Sequence, residues 1–319
     1  MTGRSMDRKH ASTPVDAWFA SQGWKSQVFQ REVWAHMMDG SRGLLNAPTG
    51  TGKTYAVWGG VVNAALRRTE ARKDVAGLRA IWITPLRALA NEIAESAQVM
   101  CDGVGLAWKV GTRTGDTPTK ERAAQKKAMP HLLVTTPESL HVMLSQKGTA
   151  ELFKHLDWFI ADEWHELLGS KRGVQVELAL SRLKALRPAL GIWGISATIG
   201  NIEEAMQVLL GNDPPDDLTE GTRSVDPQGR PTPVLVRSNL KKKIEIRSII
   251  PKKIEHYPWA GHLGIRLAKS LLPIIDKSTS TLLFTNTRGQ AEIWYHHLLD
   301  IAPELAGTIA LHHGSLDRS

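Results

Sequence analysis

The stretch "APTGTGKT", Ala47 to Thr54, constrains this chain more than any other. It sits between the apolar run "GLLN" and the helix-like "YAVWGGVVNAAL". That is the strand, loop, helix setting a phosphate-binding loop requires, here with Ala47 where the first glycine usually stands. In such a loop Thr49, Gly50, Thr51 and Gly52 let backbone N–H groups converge on phosphate oxygens, and the helix N-terminus adds favourable partial charge. Lys53 supplies a cation for the β and γ phosphates, and the Thr54 hydroxyl is a ligand for Mg²⁺, so the motif points to ATP with its metal. A glycine-rich turn that merely caps a helix is the bland alternative. It gives no reason for Lys53 and Thr54 to stand in register.

A strand that feeds a helix in this way belongs in a parallel sheet. The runs "GLLNAP", "RAIWITP", "HLLVTTP", "DWFIADE" and "LGIWGISAT" are short, apolar and separated by amphipathic stretches, which predicts an α/β fold with helices on both faces. In such sheets ligands bind beyond the carboxyl ends of the strands, where this chain concentrates its polar residues. The expected order is a flexible N-terminus over 1–14, a first domain over 15–212, a Pro-, Gly- and Asp-rich linker over 213–239, and a second domain over 240–319. In that second domain "KKKIEIRSII", "STLLFTNT" and "TIALHH" read as strands, and "GHLGIRLAKSLLPIID" and "RGQAEIWYHHLLD" as helices.

The second chemical signal is "DWFIADEWHELL". Trp158, Phe159 and Ile160 predict a buried strand whose carboxyl end delivers Asp162 and Glu163 side by side, a costly arrangement unless a cation is near. Asp162 is suited to hold Mg²⁺, and Glu163 to orient and deprotonate the water that attacks the γ phosphate. Taken alone, the acid pair also fits a helix's first turn, and His165 fits a surface histidine.

Composition narrows the partner. Lys and Arg number 40 against 32 Asp and Glu, a formal net charge of +8, which favours a polyanion such as nucleic acid. The single cysteine, Cys101, excludes an internal disulfide and a cysteine-based zinc site and fits a reducing cytoplasm. No signal-peptide core and no run long enough to span a bilayer is present, so a cytoplasmic protein without a membrane partner is expected.

The motifs together resemble the superfamily-two DExH helicases. "APTGTGKT" is similar to motif I, "TPLRALA" to motif Ia, "TTPESL" to motif Ib, "DEWH" to motif II, "SAT" to motif III and "LLFTNTR" to motif IV, in the family's order. "VFQREVW" places Gln30 where the family's adenine-reading glutamine lies. More narrowly, "RTGDTP", "DEWHELLGSKRGVQVELALSRL", "PWAGHLG" and "LHHGSL" resemble the large helicase-related (Lhr) proteins, in particular the bacterial ligase-associated DNA-damage-response branch. The resemblance implies RecA-like domains and an ATP-dependent DNA helicase acting in repair, with Lys53, Asp162, Glu163 and His165 catalytic and Ser196 and Thr198 coupling nucleotide to DNA movement. It also implies repair-ligase or nuclease partners. Thr84, Arg87, Thr114, Thr135 and Thr136, at or beyond expected strand ends, offer hydroxyls, N–H groups and a cation to phosphates without reading bases. Each singly also fits an ordinary strand-end cap. Arg288, His313 and Ser315 are the second domain's weaker equivalents.

The resemblance also carries a departure. Motifs V and VI, the latter supplying an arginine that completes the family's ATP site, do not follow "HHGSL", so the expectation is a second domain cut short and a chain poorly active alone. Three readings compete with a DNA motor: a nucleotide-gated clamp without productive turnover, an RNA helicase, and a metabolic P-loop kinase. Phosphate contacts do not separate DNA from RNA, which differ at the 2′-OH. "DEWH", "SAT" and the second domain argue against the kinase.

Overall fold

A computed structural model describes residues 12–69, 76–197, 199–211, 232–240, 244–250 and 263–312. The chain forms two units, Met1–Lys241 and Lys242–Ser319.

The first unit opens with α1 (Pro14–Ser21) and α2 (Val28–Met38). Thr13 caps α1 in a reciprocal box with Asp16, with Pro14 at the first helical position. Thr13 and Pro14 therefore belong to the fold and not to a flexible tail. Seven strands follow: β1 (Gly43–Asn46), β2 (Ala80–Ile83), β3 (Val110–Arg113), β4 (Leu132–Thr135), β5 (Trp158–Ala161), β6 (Gly191–Ser196) and β7 (Val234–Arg237). All pairs are parallel, in the order β3-β4-β2-β5-β6-β1-β7. Helices α3 (Lys53–Thr69), α4 (Arg87–Gly103), α5 (Thr119–Lys127), α6 (Pro137–Leu144), α7 (Thr149–Phe153), α8 (Trp164–Leu167), α9 (Lys171–Leu186) and α10 (Ile202–Leu210) make the crossovers.

Two apolar layers sandwich the sheet. Successive side chains of a strand point to opposite faces. Trp82, Ile160 and Trp193 accordingly pack toward α1–α4, and Ile81, Phe159 and Ile192 toward α6–α10. Five tryptophans are fully buried, and each indole N–H needs a partner there. Trp58 donates to Ala97 O, Trp164 to Ala205 O and Trp193 to Ser41 O, which pins helices and loops to the core.

The five predicted strands of this unit are present. β3 and β7 were not expected. β3 is the sheet's edge and only partly buried, so its sequence lacks a continuous apolar run. β7 corrects the linker assignment: Val234–Arg237, inside the expected 213–239 loop, pairs along the full length of β1, so the first unit runs to Lys241. Residues 213–231 of that stretch lie outside the described residues.

The second unit contains a 3-10 turn (Leu263–Leu267), α11 (Ala268–Lys277), α12 (Arg288–Ile301) and a second 3-10 turn (Pro303–Leu305). The helical expectations hold for α11 and α12. The strand expectations do not: residues 244–250, 281–285 and 308–312 form no ladder. Ile246 is 89% and Phe284 86% exposed. An apolar alternation becomes a strand only when a neighbour accepts its backbone hydrogen bonds, and none of the described residues does so. His313 and Ser315 lie outside the described residues.

Candidate active site

The carboxyl ends of β1, β5 and β6, neighbours in the sheet, deliver the loop 47–52, the acid pair and the start of motif III to one place. Gly50 and Gly52 adopt left-handed backbone, φ 71° and 83°, as the loop's reversals require. The Thr51 hydroxyl closes the loop on Pro48 O at 2.7 Å, while Thr49 and Gly50 stand exposed at its tip. Lys53 and Thr54 begin α3, with Thr54 half-buried.

Lys53 is 7% exposed, and its Nζ makes no hydrogen bond. Its charged neighbour is Glu163, with Oε1 at 3.5 Å. Glu163 is the one non-glycine residue with positive φ among the described residues, φ 43° and ψ 49°, a conformation that costs about 1–3 kcal/mol and persists where the surroundings over-determine it. Its second oxygen, Oε2, has no hydrogen bond and lies 3.5 Å from His165 Nδ1. The same ring nitrogen is 3.3 Å from Ser196 Oγ, so motif II and the end of β6 touch through a histidine. Asn46 Nδ2 donates to Ala197 O at 3.0 Å, joining that end to β1. Thr198 lies outside the described residues.

Asp162 is almost wholly buried. Burial, then the neighbouring Glu163 charge, pushes its carboxyl up to about 6. Trp82 Nε1 donates to Oδ2 at 3.2 Å and the Glu163 N–H to Oδ1 at 2.9 Å. Trp82 was not identified from the sequence as a site residue. Its place two residues before Thr84 on a buried strand was the available signal, but which strand lies beside "DWFIA" is a long-range fact. Gln30 is 3% exposed; its Oε1 accepts from the Gln27 N–H at 2.8 Å, and its Nε2 donates to Gly52 O at 3.1 Å. The amide thus steadies the phosphate loop and keeps one N–H and one lone pair for a base edge.

These groups fit Mg-ATP. An unbonded buried ammonium faces the loop's phosphate position, and a buried carboxylate lacks the cation that would hold it ionised. Among the described residues no cluster of three or more His, Cys, Asp and Glu could hold a metal. Mg²⁺ takes one or two protein oxygens and completes its shell with phosphate and water. Asp162 and Thr54 are the groups that would hold it.

A pH dependence follows. A carboxyl raised to about 6 is half protonated there, so protons compete with the metal below that pH and not above it. Mg-nucleotide affinity is expected to be level from pH 7 to 8 and to fall about tenfold per unit below 6; calorimetric titration at pH 5 and 7.5 checks this. The metal-free fold shows the opposite trend. The raised group favours folding below its unfolded value near 3.8, and this contribution is lost as pH rises through about 6.

The expected nucleic-acid residues stand at the ends of β2, β3 and β4, the other half of the strand order. Arg87 is exposed at the start of α4, packs on Gly115 and lies 3.4 Å from Asp116. The threonine hydroxyls make bonds within the chain, as strand-end caps do. Thr135 is fully buried and donates to Arg113 O at 2.5 Å, and Thr136 caps α6 by accepting from the Ser139 N–H. Thr84 accepts from the Leu86 N–H, and Thr114, 7% exposed, from the Asp116 N–H. Their hydroxyls shape the turns. Arg288 begins α12 in the second unit.

Residues 27–205 match the family profile described as DEAD/DEAH box helicase. The chain belongs to the DEAD/DEAH box helicase family. Relatives of this chain include the ATP-dependent helicase Lhr-Core protein 2 of Thermococcus barophilus, 32% identical over 96% of this chain and 35% of that protein. The Lhr helicase/uracil glycosylase of Escherichia coli is 30% identical over 86% of this chain and 18% of its own length. Among solved structures, the Mycobacterium smegmatis helicase Lhr bound to ssDNA and AMP-PNP superposes with a TM-score of 0.73 at 27% identity, covering 96% of this chain and 38% of that one. The chain thus spans about a third of the length of the Lhr-Core relatives it matches, and its seven-stranded parallel unit is RecA-like. Among the described residues no helix is long and apolar enough to cross a membrane.

Proposed function

We propose that this chain is the nucleotide-binding part of an Lhr-type, ATP-dependent DNA translocase that acts on single-stranded or partly duplex DNA in repair in the cytoplasm, with ATP and Mg²⁺. The observation that carries the reading is the buried Lys53 ammonium, unbonded and 3.5 Å from Glu163, beside an Asp162 carboxyl in need of a cation. Lys53 neutralises the β and γ phosphates, Asp162 and Thr54 hold the metal, and Glu163 takes the proton of the attacking water. When bound, Mg²⁺ supplies charge neutralisation of the phosphates. His165 and Ser196 register the change at Glu163 and pass it to the end of β6.

Support for DNA comes from the M. smegmatis neighbour described as bound to ssDNA, from the net positive charge, and from Arg87 with the helix N-termini of α4 and α6 at adjoining strand ends. Ligase or nuclease partners rest on the branch resemblance alone. An RNA substrate uses the same phosphate chemistry, and competition between DNA and RNA strands decides between them.

Lys53→Ala is expected to weaken Mg-ATP binding by about 10- to 100-fold, the worth of a hydrogen-bonded charge in a desolvated site. Calorimetry checks it, and unchanged affinity would remove Lys53 from the phosphate site. Single-stranded DNA binding is expected to weaken with salt, with a log–log slope of about −0.7 per neutralised phosphate. A flat salt response would remove the backbone-tracking reading.

A further inference from the structure

Arg172, on the first turn of α9, has no part in the site as built above. Its guanidinium spans two separate turns: Nε donates to Glu138 Oε1 at 2.6 Å and Nη1 to Pro85 O at 2.8 Å. Pro85 lies between Thr84 and Arg87, at the end of β2. Glu138 lies in the first turn of α6, just after Thr136, at the end of β4. One side chain therefore fastens both turns that present helix N-termini to a phosphate backbone.

The arginine comes from the segment that carries the acid pair. Glu163 is the N-cap of α8, and α8 leads through Gly169 and Ser170 into α9. That connection is stiff. The Ser170 hydroxyl donates to Leu167 O at 2.6 Å and accepts from the Gly173 N–H at 3.2 Å. A Cβ on Gly173 would lie 2.2 Å from Leu167 O, so the start of α9 rests directly on the backbone of α8. A shift of the Glu163 backbone is thus transmitted to Arg172 with little slack. At the far end Arg172 has good geometry. Burial alone would raise the Glu138 carboxyl, but hydrogen bonds from its own backbone N–H and from Arg172 hold it below the usual carboxylate range.

We infer that Arg172 is a positioning residue that links the water-activating segment to the two nucleic-acid-facing turns, so that a strand held at those turns favours the hydrolytic placement of Glu163. The inference rests on the function proposed above. A surface ion pair that only braces the fold is the competing account, and it predicts that all activities fall together, if they fall at all. A link between sites predicts that one ratio changes while the basal reaction does not.

The test is ATP hydrolysis by the native polypeptide with and without a single-stranded oligodeoxynucleotide, for the wild type, Arg172→Ala, Arg172→Lys and Glu138→Gln. In Arg172→Ala the stimulation by DNA is expected to fall about 5- to 10-fold or more, the range of ordinary coupling between sites, with basal turnover and Mg-ATP affinity unchanged. Glu138→Gln is expected to lose part of the stimulation. Arg172→Lys is expected to recover part of what alanine loses, since it keeps the charge but not the two-pronged reach. The double variant Arg172→Ala/Glu138→Gln is expected to be no worse than Arg172→Ala, because partners in one contact are not additive. If Arg172→Ala does not fold, the lysine and glutamine variants carry the same expectation. Wild-type stimulation in all the variants, or basal and stimulated rates falling in proportion, would overturn the inference and leave the proposed function standing. A wild type that DNA does not stimulate would overturn both.

Discussion

A polypeptide of residues 1–319 alone is expected to bind Mg-ATP but to hydrolyse it about 10³- to 10⁵-fold more slowly than a helicase whose ATP site receives an arginine from a second domain. Within the first unit Lys53, Asp162 and Glu163 are held by contacts with one another, Trp82 and His165. The transferring phosphoryl group spreads negative charge over three oxygens in the transition state. On the function proposed above, Lys53 and the metal answer part of it from one side. Where no arginine is supplied to the other side, water must reorganise there during the reaction, which a preorganised site avoids. Phosphate release measured with and without single-stranded DNA checks this. Turnover near 1 s⁻¹ would show that some residue within 1–319 fulfils the arginine's role, and strand separation by this polypeptide would show it more strongly.

In the native protein, Glu163→Gln is expected to lower hydrolysis by about 10²- to 10⁴-fold while nucleotide still binds. The amide keeps the shape and the contact distance to Lys53 but cannot accept the proton of the attacking water. Because that proton moves only in the transition state, kcat and kcat/KM should fall by the same factor. Single-turnover phosphate release and calorimetric affinity, measured side by side, separate the two effects. Turnover within a few-fold of wild type would mean that another group, with His165 the nearest candidate, activates the water.

Much of this site was legible locally. The phosphate loop is contiguous in sequence, so its glycines, Lys53 and Thr54 carry their own spacing, and the acid pair follows a run buried enough to be read as a strand. The adjacency of β1, β5 and β6 is not local. It follows from crossovers, and with it come the Trp82 to Asp162 bond and the reach of Arg172 to Pro85, neither of which has a short-range signature. The threonines show a different limit. A hydroxyl at a strand end is recognisable, but whether it faces a ligand or closes its own turn depends on the backbone beyond it, and Thr135 and Thr136 are committed within the chain. β7 was obscured by its surroundings. A short run after a Pro- and Gly-rich stretch resembles loop until β1 pairs with it. The second unit errs in the other direction, since Ile244, Ile246, Leu282 and Phe284 have a strand's pattern but join no ladder among the described residues.

The left-handed backbone at Glu163 also bears on how this protein would respond to selection. Glycine adopts that conformation without a Cβ clash but gives up more backbone freedom on folding, so Glu163→Gly recovers only part of the strain of about 1–3 kcal/mol while leaving the buried Lys53 without its charged neighbour. The two effects oppose one another, and heat resistance alone gives selection little reason to keep or to replace the acid. On the function proposed above the same change deletes the proton acceptor, so a thermostability screen that omits an ATPase readout would pass chains that have lost turnover.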